Sequence, residues 1–191
     1  LTAVHMTQLT SEEIALCATR GVSVVHCPQS NLKLASGFCP VGALQAAGVN
    51  LAIGTDGCAS NNDLDMFDEL RTAALLAKAV AGDATVFKAG EALHAATFAG
   101  ARAMGLEQSI GSLEPGKQAD IIAIDLDRLE AAPLYDVVSQ LVYAGARHWV
   151  SDVWIAGRAK MLKRELQDID LERLLAGTRR WQQTIREIPR T

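Results

Sequence analysis

Apolar positions along this chain fall into two rhythms. Through the first part, short β-branched runs alternate with stretches of helical spacing. LTAVHM, VSVVHC and VNLAIGTD read as strands, and SEEIALCATRG and CPVGALQAAG between them read as helices. The first helix start is well marked, because Thr10 or Ser11 can cap it and Glu12 and Glu13 sit in its first turn. Gly48 closes the second helix. Strands alternating with helices imply right-handed crossovers and parallel pairing, which is α/β architecture.

From Leu64 the rhythm is helical. LDMFDELRTAALLAKAV places Leu64, Phe67, Leu70, Ala74 and Leu75 on one stripe and leaves Asp68, Glu69 and Arg71 off it. EALHAATFAGARAMGL predicts a second, Ala-rich helix. After the turn-rich GSLEPGKQ, the runs ADIIAIDL, VSQLVYA and VSDVWIAGRAKM read as strands at short spacing, and DLERLLAGTRRWQQTIREI as a closing amphipathic helix. Three regions follow: 1–108 as part of a βα unit, 109–163 as part of a β unit, and 164–191 as a C-terminal helix.

Composition narrows the function. With 191 residues, 49% apolar and 21% charged, and a net charge of -4, nothing argues for nucleic acid or an anionic membrane surface as a partner. Charge or glycine breaks every apolar stretch before the roughly 20 residues a bilayer span needs. Cys17, Cys27, Cys39 and Cys58 lack CxxC spacing and read as free thiols in a reducing cytoplasm, packed as small hydrophobes. The chain opens at Leu1 without Met or a signal-like segment, already inside a strand pattern, so an upstream portion is expected.

The candidate chemistry gathers at strand ends. His5, His26 and Asp56 each close one of three consecutive strands, and in a βα barrel the C-terminal ends of the strands carry the active site. Singly, each has a plain structural account: a packed strand histidine, or aspartate as turn chemistry. Together they supply the imidazole and carboxylate that bind metal ions and move protons near neutral pH. Ser60, Asn61 and Asn62 read as loop capping before the Leu64 helix. His94, inside EALHAAT, reads as a packing or surface residue, and His148 lies beside Trp149 in the β region. In the tail, Arg179, Arg180, Trp181, Arg186 and Arg190 interleave with Glu172 and Glu187, as on a solvated face with Trp181 docked on the core.

VVHCPQSNLKLASGFCPV and GVNLAIGTDGCASNNDLDMFDELRTAALLAKA closely resemble the C-terminal part of the amidohydrolase superfamily, in its 5-methylthioadenosine/S-adenosylhomocysteine deaminase branch, to which the triazine hydrolases are related. GSLEPGKQADIIAIDL and VSDVWIAGRA are similar to that superfamily's composite β domain, so the resemblance covers nearly the whole chain. It implies the last strands, six to eight, and following helices of a (β/α)8 TIM barrel within 1–108, part of a composite β-sandwich within 109–163, and a C-terminal helix. The implied reaction is hydrolytic deamination of an adenine nucleoside with release of ammonia. One divalent metal, zinc before iron, would lower the pKa of a water that attacks C6 of the ring.

On the same resemblance, Asp56 is the metal ligand and proton carrier and also meets substrate. His5 stands beside the attacking water, and His26 shapes the substrate site. The family's HxH pair, and its histidine ligand with a glutamate three residues on, have no counterpart, since neither HxH nor HxxE occurs in the sequence. The chain therefore reads as a C-terminal portion that needs the N-terminal half of the same protein, does not retain the metal alone, and joins a cytoplasmic homo-oligomer. The alternatives are a related heteroaromatic hydrolase acting on guanine or an s-triazine, and a non-catalytic fragment.

Overall fold

The computed structural model describes residues 1–188. Three short strands, β1 (Thr2–Val4), β2 (Ser23–His26) and β3 (Asn50–Ile53), form an all-parallel sheet in the order β1-β2-β3. Val4 lies opposite Val25, and His26 opposite Ile53. Helix α1 (Ser11–Thr19) links the first two strands. Thr10 is its cap: the Glu13 amide donates to Thr10 Oγ1 (3.3 Å), while the Thr10 amide donates back to Glu13 Oε2 (2.8 Å). Between β2 and β3 run α2 (Pro28–Lys33) and α3 (Val41–Ala46).

Past β3 come the single turn α4 (Cys58–Asn61) and the long α5 (Met66–Ala81), capped by Asp65 and closed by Gly82 in the left-handed region (φ 64°). Helices α6 (Ala89–Ala95) and α7 (Phe98–Ala103) complete this layer. The core lies between sheet and helices, where Val24, Leu44, Leu70, Ala73, Ala74 and Ala92 are buried. A second, antiparallel sheet follows in the order β4-β5-β6-β7, from β4 (Ile121–Ile124), β5 (Val150–Ile155), β6 (Arg158–Leu162) and β7 (Glu165–Leu166). Helix α8 (Val137–Tyr143) precedes β5, and α9 (Leu171–Arg186) ends the described chain. No helix among the described residues is long and apolar enough to cross a membrane.

Five sequence expectations are corrected. VSQLVYA is helix α8, because Asp136 caps it by accepting from the Ser139 amide (2.6 Å) and the helix buries Val142. The Ala-rich helix is broken at Thr97, whose backbone is non-helical (φ -126°, ψ -94°) while its hydroxyl donates back to the Leu93 carbonyl (2.7 Å). The buried face of α5 is Glu69, Leu70, Ala73, Ala74 and Ala77, with Leu75 half exposed, because the small alanines let the helix close on the sheet. Glu69 is thus inside. Helix α9 buries no residue and Trp181 is 69% exposed, not docked on the core. Cys58 is exposed, unlike the buried Cys17, Cys27 and Cys39. Arg190 lies outside the described residues.

Candidate active site

All three strand-end residues are where the alternation puts them, but they do different things. Leaving β1, the chain passes through His5 and Met6 in the left-handed region (φ 69° and 50°), and beyond β3 Asp56 does the same (φ 61°). Such conformations cost L-residues roughly 1–2 kcal/mol each and gather at functional sites. The His5 amide still donates to the Val25 carbonyl (3.0 Å), so the residue is tied to β2 as it turns out of the sheet.

Asp56 is gripped by two hydroxyls. Ser30 Oγ, from α2, and Ser60 Oγ, from α4, both donate to its Oδ2, at 2.6 and 2.7 Å. These two bonds, then the Gly57 backbone N–H and the nearby His5, pull its pKa down to about 2, so it is ionised throughout the neutral range. His5 Nε2 lies 3.8 Å from the same oxygen. On its other side, His5 Nδ1 is 2.9 Å from Oδ1 of the buried Asn31. Adjacent residues of α2 therefore reach the two groups, Ser30 to the carboxylate and Asn31 to the imidazole.

His26 is only 1% exposed, and neither ring nitrogen has a partner among the described residues. Burial, reinforced by the charge of His5, lowers its pKa to about 4, so it is neutral at pH 7. Cys27 beside it is pushed up to about 12 by burial and by the Asp56 and Glu69 carboxylates, and behaves as an apolar thiol. Asp65 caps α5 by accepting from the Phe67 amide (2.9 Å), while Asn61 Oδ1 accepts from the Leu64 amide (2.8 Å) in the turn before it. Asn62 Oδ1 accepts from Lys33. His94 is exposed on α6, and His148 lies in the 3-10 turn Arg147–Trp149.

Sequence reasoning missed Ser30, Asn31 and Glu69. Proline at the first turn of PQSNLK announces the helix that carries Ser30 and Asn31, but not the partners they reach, and Glu69 has no such local signal.

The donor set fits part of a metal shell. Both serine hydroxyls fall on Asp56 Oδ2 and leave Oδ1 for a cation, with an imidazole alongside, but zinc takes three or four protein ligands. Among the described residues, one group of three ligand-type atoms lies within 4.8 Å, that of Asp63, Asp65 and Asp68. Those carboxylates are already engaged by Arg147 (3.8 and 3.6 Å) and Arg71 (3.2 Å).

Strand-end imidazole and carboxylate on a mixed α/β frame define the class: residues 1–160 match the amidohydrolase family model, and the chain belongs to that family. A 5-methylthioadenosine/S-adenosylhomocysteine deaminase of Teredinibacter turnerae is 53% identical over 182 residues, 95% of this chain and 41% of that protein. One of Moorella thermoacetica is 52% identical over 174 residues, 91% of this chain and 41% of that protein. Among solved structures, a zinc-bound adenosine deaminase from Xanthomonas campestris superposes with a TM-score of 0.97 at 65% identity, over 98% of this chain and 43% of that one. A zinc-complexed atrazine chlorohydrolase from Arthrobacter aurescens gives 0.86 at 30% identity, over 93% and 40%. The chain spans about two fifths of the length of these relatives.

Proposed function

We propose that this chain forms the C-terminal part of a metal-dependent aminohydrolase that deaminates an adenine nucleoside, 5'-methylthioadenosine or S-adenosylhomocysteine. In this reading 1–108 contribute the last strands and helices of a (β/α)8 barrel, 109–163 part of a β-sandwich, and 164–191 a terminal helix. The observation that carries it is Asp56, clasped by Ser30 and Ser60 at a strand end and facing His5 at 3.8 Å. The nucleoside reading is preferred over a triazine substrate because identity is 53% to the nucleoside deaminase and 30% to the chlorohydrolase.

Asp56 would hold a divalent ion, zinc in keeping with the zinc-bearing relatives, and the ion would supply Lewis acidity to the attacking water. The residues of this chain supply part of the rest. Ionised Asp56 receives a proton and delivers it to the departing amine, while its two serine bonds keep the carboxylate from rotating. His5, steadied through Nδ1 by Asn31, turns Nε2 toward the reacting atoms and stabilises charge that develops on the ring. His26, neutral and buried, forms an uncharged wall of the site.

The test is ammonia release from both nucleosides, with an s-triazine as comparison, by the protein that contains this chain. Asp56→Asn keeps the size of the side chain and removes its basic oxygen. A fall in kcat of at least ~10²- to 10⁴-fold is expected, the range of general acid-base groups. Near-full activity in that variant would remove Asp56 from the mechanism.

A further inference from the structure

The clasp on Asp56 raises the question of what holds the clasp. Its two serines sit on α2 and α4, which have six and four residues and no side-chain cap at their N-termini. Helices this short do not hold themselves. On the solvent side Lys33 Nζ ties them together, donating to the Ala59 carbonyl (3.0 Å) and to Asn62 Oδ1. On the inner side the tie is Glu69, which is 0% exposed.

The Glu69 carboxylate accepts one bond from each helix. Oε2 takes the backbone N–H of Gln29 (3.3 Å), the residue before Ser30. Oε1 takes Nδ2 of Asn61, the residue after Ser60. Each donor is the immediate chain neighbour of a serine that grips Asp56. Gln29 and Asn61 also meet each other (Nδ2 to Oε1, 3.4 Å), and Gln29 Nε2 donates to Thr72 Oγ1 (3.3 Å) on the next turn of α5. Glu69 itself is anchored, because α5 packs Leu70, Ala73 and Ala74 into the core.

No lysine or arginine pairs with this carboxylate among the described residues, and a buried carboxyl without a cation is costly. Burial raises its pKa from 4.5 to about 7. An apolar side chain would fill the same space without that cost, so packing alone does not account for a glutamate here.

We propose that Glu69 is a positioning residue of this site: from inside the core it clasps α2 and α4, sets the two serines, and through them fixes the Asp56 carboxylate. The proposal rests on the reading of Asp56 given above, but the clasp has a signature that does not depend on catalysis. Cys27, the residue before α2, is only 1% exposed, so a thiol reagent reaches it when that segment opens, and the buried Cys17 on α1 is the control for opening of the whole fold.

The experiment compares Glu69→Gln and Glu69→Leu in the metal-loaded protein that contains this chain. Gln keeps one acceptor and Leu keeps neither, so a graded effect is expected. In the Leu variant kcat falls on the order of 10²-fold, as for a misplaced reacting group, while KM stays within about 3-fold. Cys27 labels about 10-fold faster or more relative to Cys17, and the Gln variant falls between Leu and wild type on both scales.

A folded Leu variant with wild-type kcat and a wild-type ratio of Cys27 to Cys17 labelling overturns the proposal. So does a variant in which kcat and KM shift together while Cys27 and Cys17 speed up alike, since that is general destabilisation. If the Leu variant does not fold, the Gln variant decides by the same two readouts. If the wild-type protein releases no ammonia, the deaminase reading fails, and the labelling ratio alone judges the clasp.

Discussion

Two buried ionisable residues, His26 and Glu69, respond to pH in opposite senses. His26 has a folded pKa near 4 against 6.5 when free, so between those values the unfolded chain binds more protons and stability falls as pH drops. Glu69 has a folded pKa near 7 against 4.5, so over most of the same window the folded chain binds more protons and stability rises as pH drops. Each contributes on the order of 3 kcal/mol across its window, and in the wild type the two largely offset. Single variants uncover them. His26→Met should make the thermal midpoint rise from pH 7 to pH 5, and Glu69→Gln should make it fall. Parallel pH profiles for wild type and both variants would refute the assignment. At this scale the sequence showed His5 and Asp56, because strand ends in an α/β alternation mark themselves. Ser30, Asn31 and Glu69 stayed hidden because they act at a distance. Ser30 and Asn31 reach partners 26 residues away, Glu69 bonds Gln29 across 40, and no local periodicity encodes such pairings.

Elements with a clean period and a recognisable cap were legible, as α1, α5 and the three parallel strands show. Helix α8 was not, because Val138, Val142 and Tyr143 gave VSQLVYA the composition of a strand. Anchoring overrides that composition at both ends, by a local cap at one and a long-range donor at the other. Asp136 caps the first turn, and Arg71 of α5 donates to the carbonyls of Tyr143 (2.9 Å) and Gly145 (2.6 Å) at the other. Asp136→Ala should cost about 1 kcal/mol, the usual value of such a cap. Arg71→Leu should cost more, roughly 1–3 kcal/mol, because it strips two carbonyls of a charged donor. Denaturant melts of the two single variants test the order, and an Asp136→Ala variant more damaged than Arg71→Leu would contradict it. The split of the Ala-rich stretch into α6 and α7 has a similar origin, since the Thr97 hydroxyl competes for the backbone where composition favoured one unbroken helix.

For the molecule as a whole, the alternation of strand and helix sufficed to predict the parallel sheet β1-β2-β3, whereas three strands carry no signal of barrel closure. The parallel sheet has three strands, with β1 and β3 at its edges, and such sheets are ordinarily covered on both faces and paired at their edges. Large apolar side chains stand in solvent on several surfaces, among them Leu1, Val4, Leu113, Leu129, Tyr135 and Ile185. The candidate site is just as open. It offers one carboxylate oxygen and one imidazole, and the acidic group of Asp63, Asp65 and Asp68 already has Arg147 and Arg71 as partners. Tight zinc binding needs three or four protein ligands, and with fewer the ion exchanges with solvent. Residues 1–191 produced alone should therefore carry far less than one zinc per chain by metal analysis, and should self-associate in sedimentation through their uncovered edges and apolar surface. Both outcomes follow from the same cause, a site and a sheet that these residues leave open. A monodisperse, cooperatively melting monomer that holds one zinc per chain and loses it on Asp56→Ala would show instead that these residues complete the site unaided.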